Sequence, residues 1–465
     1  METLHDHLYR GPIVGIGFSG QAGSAFPVLS ILHIIQEKAK NEGRATDAIY
    51  AFDPQANPKL APIIERVAQN YGITTTHIRE VPISQYREGV DSGHLFFHGL
   101  KPDLDPYIES ELDLFQEVQP SLIFSLLRPT LYFSRALHYH YTRNYVPYVA
   151  FGYGLLLGSM GHYGLPANFV PFLPKPLERL LSGNAVIAFI ANRILDYKRL
   201  EARRYLKKFM SRTYWSDPFP PFSRALLGDV TLIPASPAFI PDGIPEHGYA
   251  LGLVDIDPAL SPQQQAKQNR ILQQIDQWKA QGKLVIFVAM GTSGEAFPLV
   301  IQTLASLLQK FPHLRLVIAT TILGHSAETQ TVLQKLQSDG QAVIHTWFDL
   351  HRLLPKIDLV VNHGGLNTLE FAMRYNIPSF IIAPQQAEQG LNALMLHQQG
   401  YGEVVWGHRL EEVPATFAKM LQTLPAYRTR IARHRKRYAD YYDPERQREK
   451  ITRAVNEAFQ LAPQD

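Results

Sequence analysis

The chain contains no cysteine. That excludes disulfides, thiolate metal ligands and a cysteine nucleophile, and it fits a reducing compartment. Neither sign of charge is in excess: 45 Lys and Arg stand against 42 Asp and Glu, a formal net charge of +3. No global field therefore draws the chain to nucleic acid. An apolar share of 45% is far above what a disordered chain carries. The first residues, Met1-Glu2-Thr3-Leu4-His5-Asp6, lack the basic region and apolar core of a signal peptide, which points to the cytoplasm. Long apolar runs are missing as well. The nearest to one, Val146 to Pro174, has no Asp, Glu, Lys or Arg, but Gly152, Gly154, Gly158, Gly161, Gly164, Pro166 and Pro171 interrupt it. It cannot run as one membrane helix, and reads as a cavity-lining loop or a plain glycine-rich connection.

Among the 465 residues, short apolar runs alternate with helical patterns. Ile13 to Phe18, Ala48 to Phe52, Ser121 to Leu126 and Tyr145 to Phe151 read as strands. Ala25 to Ala39 repeats apolar residues at helical spacing through Val28, Leu29, Leu32 and Ile35, and Pro62 to Gln69 is a second helix. The polar stretch Asp255 to Arg270 shows little apolar periodicity and is expected as a linker. The alternation then restarts with strands at Lys283 to Met290, Arg315 to Ala319, Ala342 to Trp347, Leu359 to Asn362 and Ser379 to Ala383, and a helix at Pro298 to Lys310. The expected architecture is α/β, with two Rossmann-like domains whose parallel sheets face each other across a cleft. Residues 1–255 form the first domain, 256–270 the linker and 271–425 the second. The helical tail, 426–465, is expected to pack back on the first.

The chemistry concentrates between Trp347 and Gly402. Asn362-His363-Gly364-Gly365-Leu366-Asn367-Thr368 ends a strand, turns on two glycines and opens a helix. Glycines let backbone approach a ligand closely. A helix N-terminus offers unpaired N–H groups and partial positive charge, an anion site suited to a diphosphate. Trp347-Phe348-Asp349-Leu350 lies upstream, and Pro384-Gln385-Gln386-Ala387-Glu388-Gln389-Gly390-Leu391-Asn392 downstream.

This segment resembles the nucleotide-sugar signature of the UDP-glycosyltransferase superfamily, closest to its macrolide and sterol branches. Trp347 stands sixteen residues before His363, as in that branch. Gly291-Thr292-Ser293 resembles the family turn near the donor phosphate, and Pro234-Ala235-Ser236-Pro237-Ala238-Phe239-Ile240-Pro241 the stretch before the linker. The resemblance implies the GT-B fold and a donor site drawn from Gly291, Thr292, Ser293, Trp347, Phe348, His363, Gly364, Gly365, Asn367, Thr368, Glu388 and Gln389. Trp347 would stack on the base. His363, Gly365, Asn367 and Thr368 would hold the diphosphate, and Glu388 with Gln389 the sugar hydroxyls. The implied activity is inverting transfer of a sugar, without metal or resident cofactor, from a nucleotide-diphosphate sugar to a hydroxyl of a hydrophobic acceptor such as a lipid, sterol, carotenoid or polyketide.

Four positions depart from the family pattern. Leu350 stands where a Gln reads the base. Phe371 stands where a Glu grips the ribose, with Glu370 one residue, about 100°, around the helix. Ser24 occupies the catalytic His position and Ser125 that of its Asp partner, and a hydroxyl needs another base to activate it. The catalytic residues are therefore unassigned. Asp91, His94, His98, His138 and His140 are the candidate bases. The alternative is a non-catalytic GT-B partner subunit that binds nucleotide or lipid. A sugar-nucleotide epimerase on the same fold fits the signature less well.

Other motifs have plainer readings. Gly15-x-Gly17-x-x-Gly20 matches a dinucleotide fingerprint, but only Pro12 to Val14 precede it and its acid, Asp53, comes far too late. Asp103-Leu104-Asp105 and Asp255-Ile256-Asp257 are each followed by Pro and read as solvated turns. Lys198 to Arg212 sets seven basic residues against Glu201. Such a helix either rests on an anionic membrane, as a peripheral contact, or packs on its domain with a solvated basic face, the commoner arrangement.

Overall fold

The computed structural model describes residues 3–17, 22–79, 105–126, 129–152, 228–240, 244, 246–254, 260–291, 297–320, 326–384 and 387–463. The chain divides into two units, Met1–Ile256 with Asp443–Asp465, and Asp257–Tyr442.

The first unit runs β1 (Ile13–Ile16), α1 (Ala22–Asn41), β2 (Ala48–Phe52), α2 (Ala61–Asn70), β3 (Thr74–His77), α3 (Asp105–Val118), β4 (Leu122–Leu126), α4 (Pro129–Thr142), β5 (Tyr148–Phe151), β6 (Val230–Ile233) and β7 (Gly248–Ala250). All pairings are parallel, in the order β3-β2-β1-β4-β5-β6-β7. The strand order reverses between β1 and β4, where Ile16 pairs with Ser125. Central strands β1 and β5 are buried throughout, as a sheet covered on both faces requires. The foot of β5 and β6 is fixed by a buried ion pair. Arg135 of α4 bonds Asp229 at 2.8 Å and the Val146 carbonyl at 2.9 and 3.0 Å. The Tyr148 amide donates to the same carboxylate at 2.7 Å.

The second unit runs α5 (Pro262–Ala280), β8 (Leu284–Ala289), α6 (Phe297–Lys310), β9 (Leu314–Ala319), α7 (Ala327–Ser338), β10 (Ala342–His345), α8 (Leu350–Leu353), β11 (Leu359–Asn362), α9 (Leu366–Arg374), β12 (Ser379–Ile382), α10 (Ala387–Gln399), β13 (Gly402–Val405) and α11 (Val413–Arg437). Its sheet is again wholly parallel, in the order β10-β9-β8-β11-β12-β13, and reverses between β8 and β11. Beneath it α11 buries Phe417 and Met420 completely, with Phe417 edge-on to Phe380 of β12 at 5.1 Å. Burying side chains of this size stabilises a domain by about 1.5–3 kcal/mol each. A final helix, α12 (Pro444–Leu461), belongs to the first unit. There Gln447 donates to the Leu251 and Leu253 carbonyls, and Asn456 joins His5 and Thr3.

Two expectations about chain organisation need correction. The stretch expected as a linker over 256–270 is helical from Pro262, because Ser261 and Gln264 form a reciprocal capping box. Its polar surface hides a narrow buried stripe of Gln268, Ile271, Leu272, Ile275 and Trp278. The helical tail is also divided. Helix α11 runs past 425 within the second unit, held by fully buried Ile431 and by His434, and only α12 joins the first.

Candidate functional site

In an open doubly wound sheet, ligands bind outside the carboxyl ends of the strands, where the strand order reverses. In the second unit that point lies between β8 and β11, with Ala289 paired to Asn362. Gly291 follows β8 and His363 follows β11. The imidazole of His363 rests between glycines. A Cβ on Gly291 would come within 2.8 Å of its Cε1, and one on Gly365 within 3.2 Å of its Cε1 and Nε2. Gly364, at φ +95°, presses on the Gln389 backbone, whose carbonyl oxygen lies 2.5 Å from where a Cβ would stand. A side chain at any of these three positions would fill the cradle or push it apart.

Hydrogen bonds fix the turn. Asn362, fully buried, accepts from the Gly364 amide at 2.7 Å. Asn392 of α10 donates to the Gly364 carbonyl at 2.9 Å. Gly365 is the N-cap of α9 and supplies no side-chain cap, so the positive end of the helix faces the turn. Asn367 and Thr368 are half-buried in its first turn. Burial holds the His363 imidazole down at about 4, against a smaller opposing effect of a backbone hydrogen bond with Ala289. His363 is thus neutral near pH 7, with one N–H donor and one acceptor nitrogen rather than a charge.

Trp347, Phe348 and Asp349 follow β10 at the same end of the sheet. Trp347 is half-buried. Phe348 is not open: it is 5% exposed, edge-on to Phe287 at 5.8 Å and to His345 at 5.4 Å. Its ring anchors the turn in the core. Asp349 caps α8, accepting from the His351 and Arg352 amides at 2.9 and 3.3 Å. Its own backbone is gripped by Gln268 of α5. The amide donates to the Asp349 carbonyl and accepts from its N–H, both at 3.0 Å. Reading 256–270 as a linker concealed Gln268. The signal that could have found it is the Ser261–Gln264 capping box.

The departures from the family pattern are structural as well. Phe371 is 5% exposed and packs edge-on against His351, which bonds Tyr375 at 2.6 Å. Glu370 does not replace the missing ribose grip. It is fully buried and accepts from Tyr442 at 3.1 Å. In the first unit Ser125 is fully buried at the end of β4. His138 packs edge-on to Phe115 of α3. It lies nine residues into α4, about 13 Å from the strand ends at 1.5 Å per residue, and His140 lies farther still. Neither is placed to act there. Asp91, His94, His98, Gly20, Thr292, Ser293, residues 153–174 and Lys198 to Arg212 lie outside the described residues, as do the side chains of Ser24 and Glu388. Gln389 is buried at the start of α10.

The dinucleotide-like glycines of β1 serve packing. A Cβ on Gly15 would strike Val28 and Leu32 of α1, and one on Gly17 would fall 1.5 Å from the Tyr50 hydroxyl. Among the described residues no group of three His, Asp or Glu could hold a metal ion, and no helix is long and apolar enough to cross a membrane.

Two parallel sheets of this order, one bearing a glycine turn with no side-chain cap at its reversal point, define a doubly wound α/β protein. Residues 285–441 match the glycosyltransferase family 28 C-terminal domain. The chain is a glycosyltransferase of the GT-B fold, as the resemblance to the UDP-glycosyltransferase superfamily implied. Its fold is similar to that of the calicheamicin glycosyltransferase, at 14% identity over 98% of this chain and 100% of that one, TM-score 0.60. It is also similar to a Streptomyces sp. SF2575 glycosyltransferase complexed with thymidine diphosphate, at 14% identity over 97% and 99%, TM-score 0.51. A Phytolacca americana protein complexed with UDP-2fluoro-glucose and pterostilbene matches at 13% identity over 97% and 100%, TM-score 0.59. No curated protein matches the chain by sequence.

Proposed function

We propose that this glycosyltransferase moves a sugar from a nucleotide-diphosphate sugar, in the first instance a UDP-sugar, to a hydroxyl of a hydrophobic acceptor such as a lipid, sterol, carotenoid or polyketide. Transfer proceeds by in-line displacement with inversion at the anomeric carbon. One observation carries the reading: the His363 imidazole, seated between Gly291 and Gly365 at the mouth of an uncapped helix. The leaving diphosphate gathers charge as the glycosidic bond breaks. Amides at the α9 N-terminus, the neutral His363 donor, Asn367 and Thr368 meet that charge without a metal. By the family resemblance, Thr292 and Ser293 also serve the donor phosphate. Trp347 stacks on the base, and Glu388 with Gln389 hold sugar hydroxyls. A thymidine diphosphate and a UDP-sugar analogue with pterostilbene in similar structures support this class of donor and acceptor.

One observation favours a second reading. Ser125, at the strand end where the family carries its catalytic carboxylate, is fully buried. A chain without that carboxylate could bind nucleotide or lipid as a partner subunit without transferring sugar. Incubating the chain with UDP-, TDP- and GDP-sugars, with and without lipid extract, and assaying released nucleoside diphosphate separates the two. Acceptor-dependent release establishes transfer. Calorimetric binding without release establishes the partner subunit. Absence of both defeats either reading.

A further inference from the structure

The Gln268 side chain is fully buried, and it pairs with both backbone polar groups of a single residue, Asp349. Nothing else in the residue alphabet at this length presents a donor and an acceptor side by side. Glutamate lacks the donor, methionine lacks both, and asparagine is one methylene shorter. The paired residue sits two positions after Trp347 and one after Phe348. Phe348 is locked into the core by Phe287 and His345. The peptide that presents Trp347 is therefore tied down twice, by an aromatic ring from the sheet side and by an amide from α5. Asp349 also caps α8, so the clamp fixes the start of that helix with the turn.

We propose that Gln268 is a positioning residue for the donor site: it holds the turn that presents Trp347, so that the indole is preorganised as a platform for the nucleobase. This rests on the donor reading above and extends the site to α5, a helix whose polar composition hides it. A buried amide that satisfies both groups of a turn makes that turn rigid. A platform already held in place loses less freedom when a base stacks on it, and so binds more tightly. The diphosphate end of the donor rests on β8, β11 and α9 and does not depend on this clamp.

The test uses the full-length chain with UDP and inorganic pyrophosphate as paired probes. Gln268→Met should weaken UDP binding about tenfold, within the range that stacking on an aromatic ring supplies, and leave pyrophosphate affinity within about twofold. Trp347→Ala should lose UDP affinity similarly, and adding Gln268→Met to it should weaken UDP no further. The ¹⁹F resonance of fluorotryptophan at Trp347, assigned with Trp347→Phe, should shift or broaden in Gln268→Met without ligand. If the wild-type chain binds no UDP, the donor reading fails while this resonance still reports on the clamp. Should Gln268→Met not fold, Gln268→Glu keeps the length and the acceptor and removes the donor. Unchanged UDP affinity with an unchanged Trp347 resonance overturns the proposal. So does a parallel loss of UDP and pyrophosphate binding, the mark of general damage.

Discussion

The reversal points of the two sheets use glycine for opposite ends. Between β1 and β4 the glycines are filled: Gly15 receives Val28 and Leu32, and Gly17 receives the Tyr50 ring. Between β8 and β11 they surround one imidazole and leave the mouth of α9 without a cap. The same strand–turn–helix device closes a core in one unit and shapes a cradle in the other. A glycine motif therefore states only that something comes close. What comes close, another side chain or a ligand, depends on the neighbouring strand.

Substituting the two kinds of glycine tests that contrast. Gly17→Ala places a Cβ 1.5 Å from the Tyr50 hydroxyl, and should destabilise the first unit by about 3 kcal/mol, at the upper end of overpacking costs. Thermal unfolding measures it. Combined with Tyr50→Ala, Gly17→Ala should cost less than the two single changes added together, because both act on one space. Strict additivity would mean the glycine is required by its backbone and not by the ring.

At the other reversal point the loss should be in binding. His363→Ala removes a hydrogen bond to a charged group, worth about 1.5–3 kcal/mol, so nucleoside diphosphate affinity should fall roughly tenfold to a hundredfold. Gly291→Ala, forced into a left-handed conformation at φ +66° and against the imidazole, should reduce affinity in the same direction. Ser125→Ala, at the matching point of the first unit, should leave it unchanged. Calorimetry with UDP across the three variants decides the matter. Equal losses at Ser125 and His363 would erase the distinction drawn between the units.

The second unit also carries a pH dependence. His434 of α11 is 3% exposed, with its ring nitrogens 3.1 Å from the Tyr401 hydroxyl and 3.2 Å from that of Tyr442. Burial, with Arg437 adding to it, holds His434 down at about 4, and His363 behaves alike. An unfolded histidine takes its proton below about 6.5, whereas these folded ones do not until about 4. Their contribution is therefore fully present above pH 6.5 and is lost as pH falls toward 4. His397 acts oppositely: its hydrogen bond to Glu403 at 3.0 Å raises it, so that contribution fades as pH rises. Stability of the second unit should drop by roughly 2 kcal/mol per buried histidine on going from pH 7 to pH 5. His434→Gln should flatten that slope in a pH series of unfolding curves.

Much of this was legible in the sequence where a residue's neighbours are local. Strand β11 falls on the expected Leu359 to Asn362, and the buried runs of β2 and β8 lie within a residue or so of expectation. The turn after β11 was readable because glycine, asparagine and helix start are adjacent. Strand β3, Thr-Thr-Thr-His at a sheet edge, carries no apolar signal, and its existence depends on pairing with β2. Helix α5 was hidden because one narrow buried stripe among glutamines resembles no stripe at all. The anchoring by Phe348 and Gln268 was hidden for the same reason. Which side of the turn faces the core depends on Phe287 and Gln268, each far from Phe348 in the chain.

Glu370 sharpens the comparison with the smallest effect. A carboxylate next to the ribose-gripping position invites the reading that it has taken over that task. The structure turns it the other way, into a buried contact with Tyr442 at 3.1 Å, while Phe371 fills the expected position under His351. Glu370→Gln keeps the shape and exchanges a carboxyl acceptor for an amide one. A change of this kind in one hydrogen bond is worth about 1 kcal/mol. It should appear as a lower melting temperature, with the KM for the donor sugar within about twofold of wild type. A helix one residue out of register with the family pattern would instead place Glu370 on the ribose. The same variant would then lose donor affinity and keep its stability, so the two measurements together assign the side on which this carboxylate works.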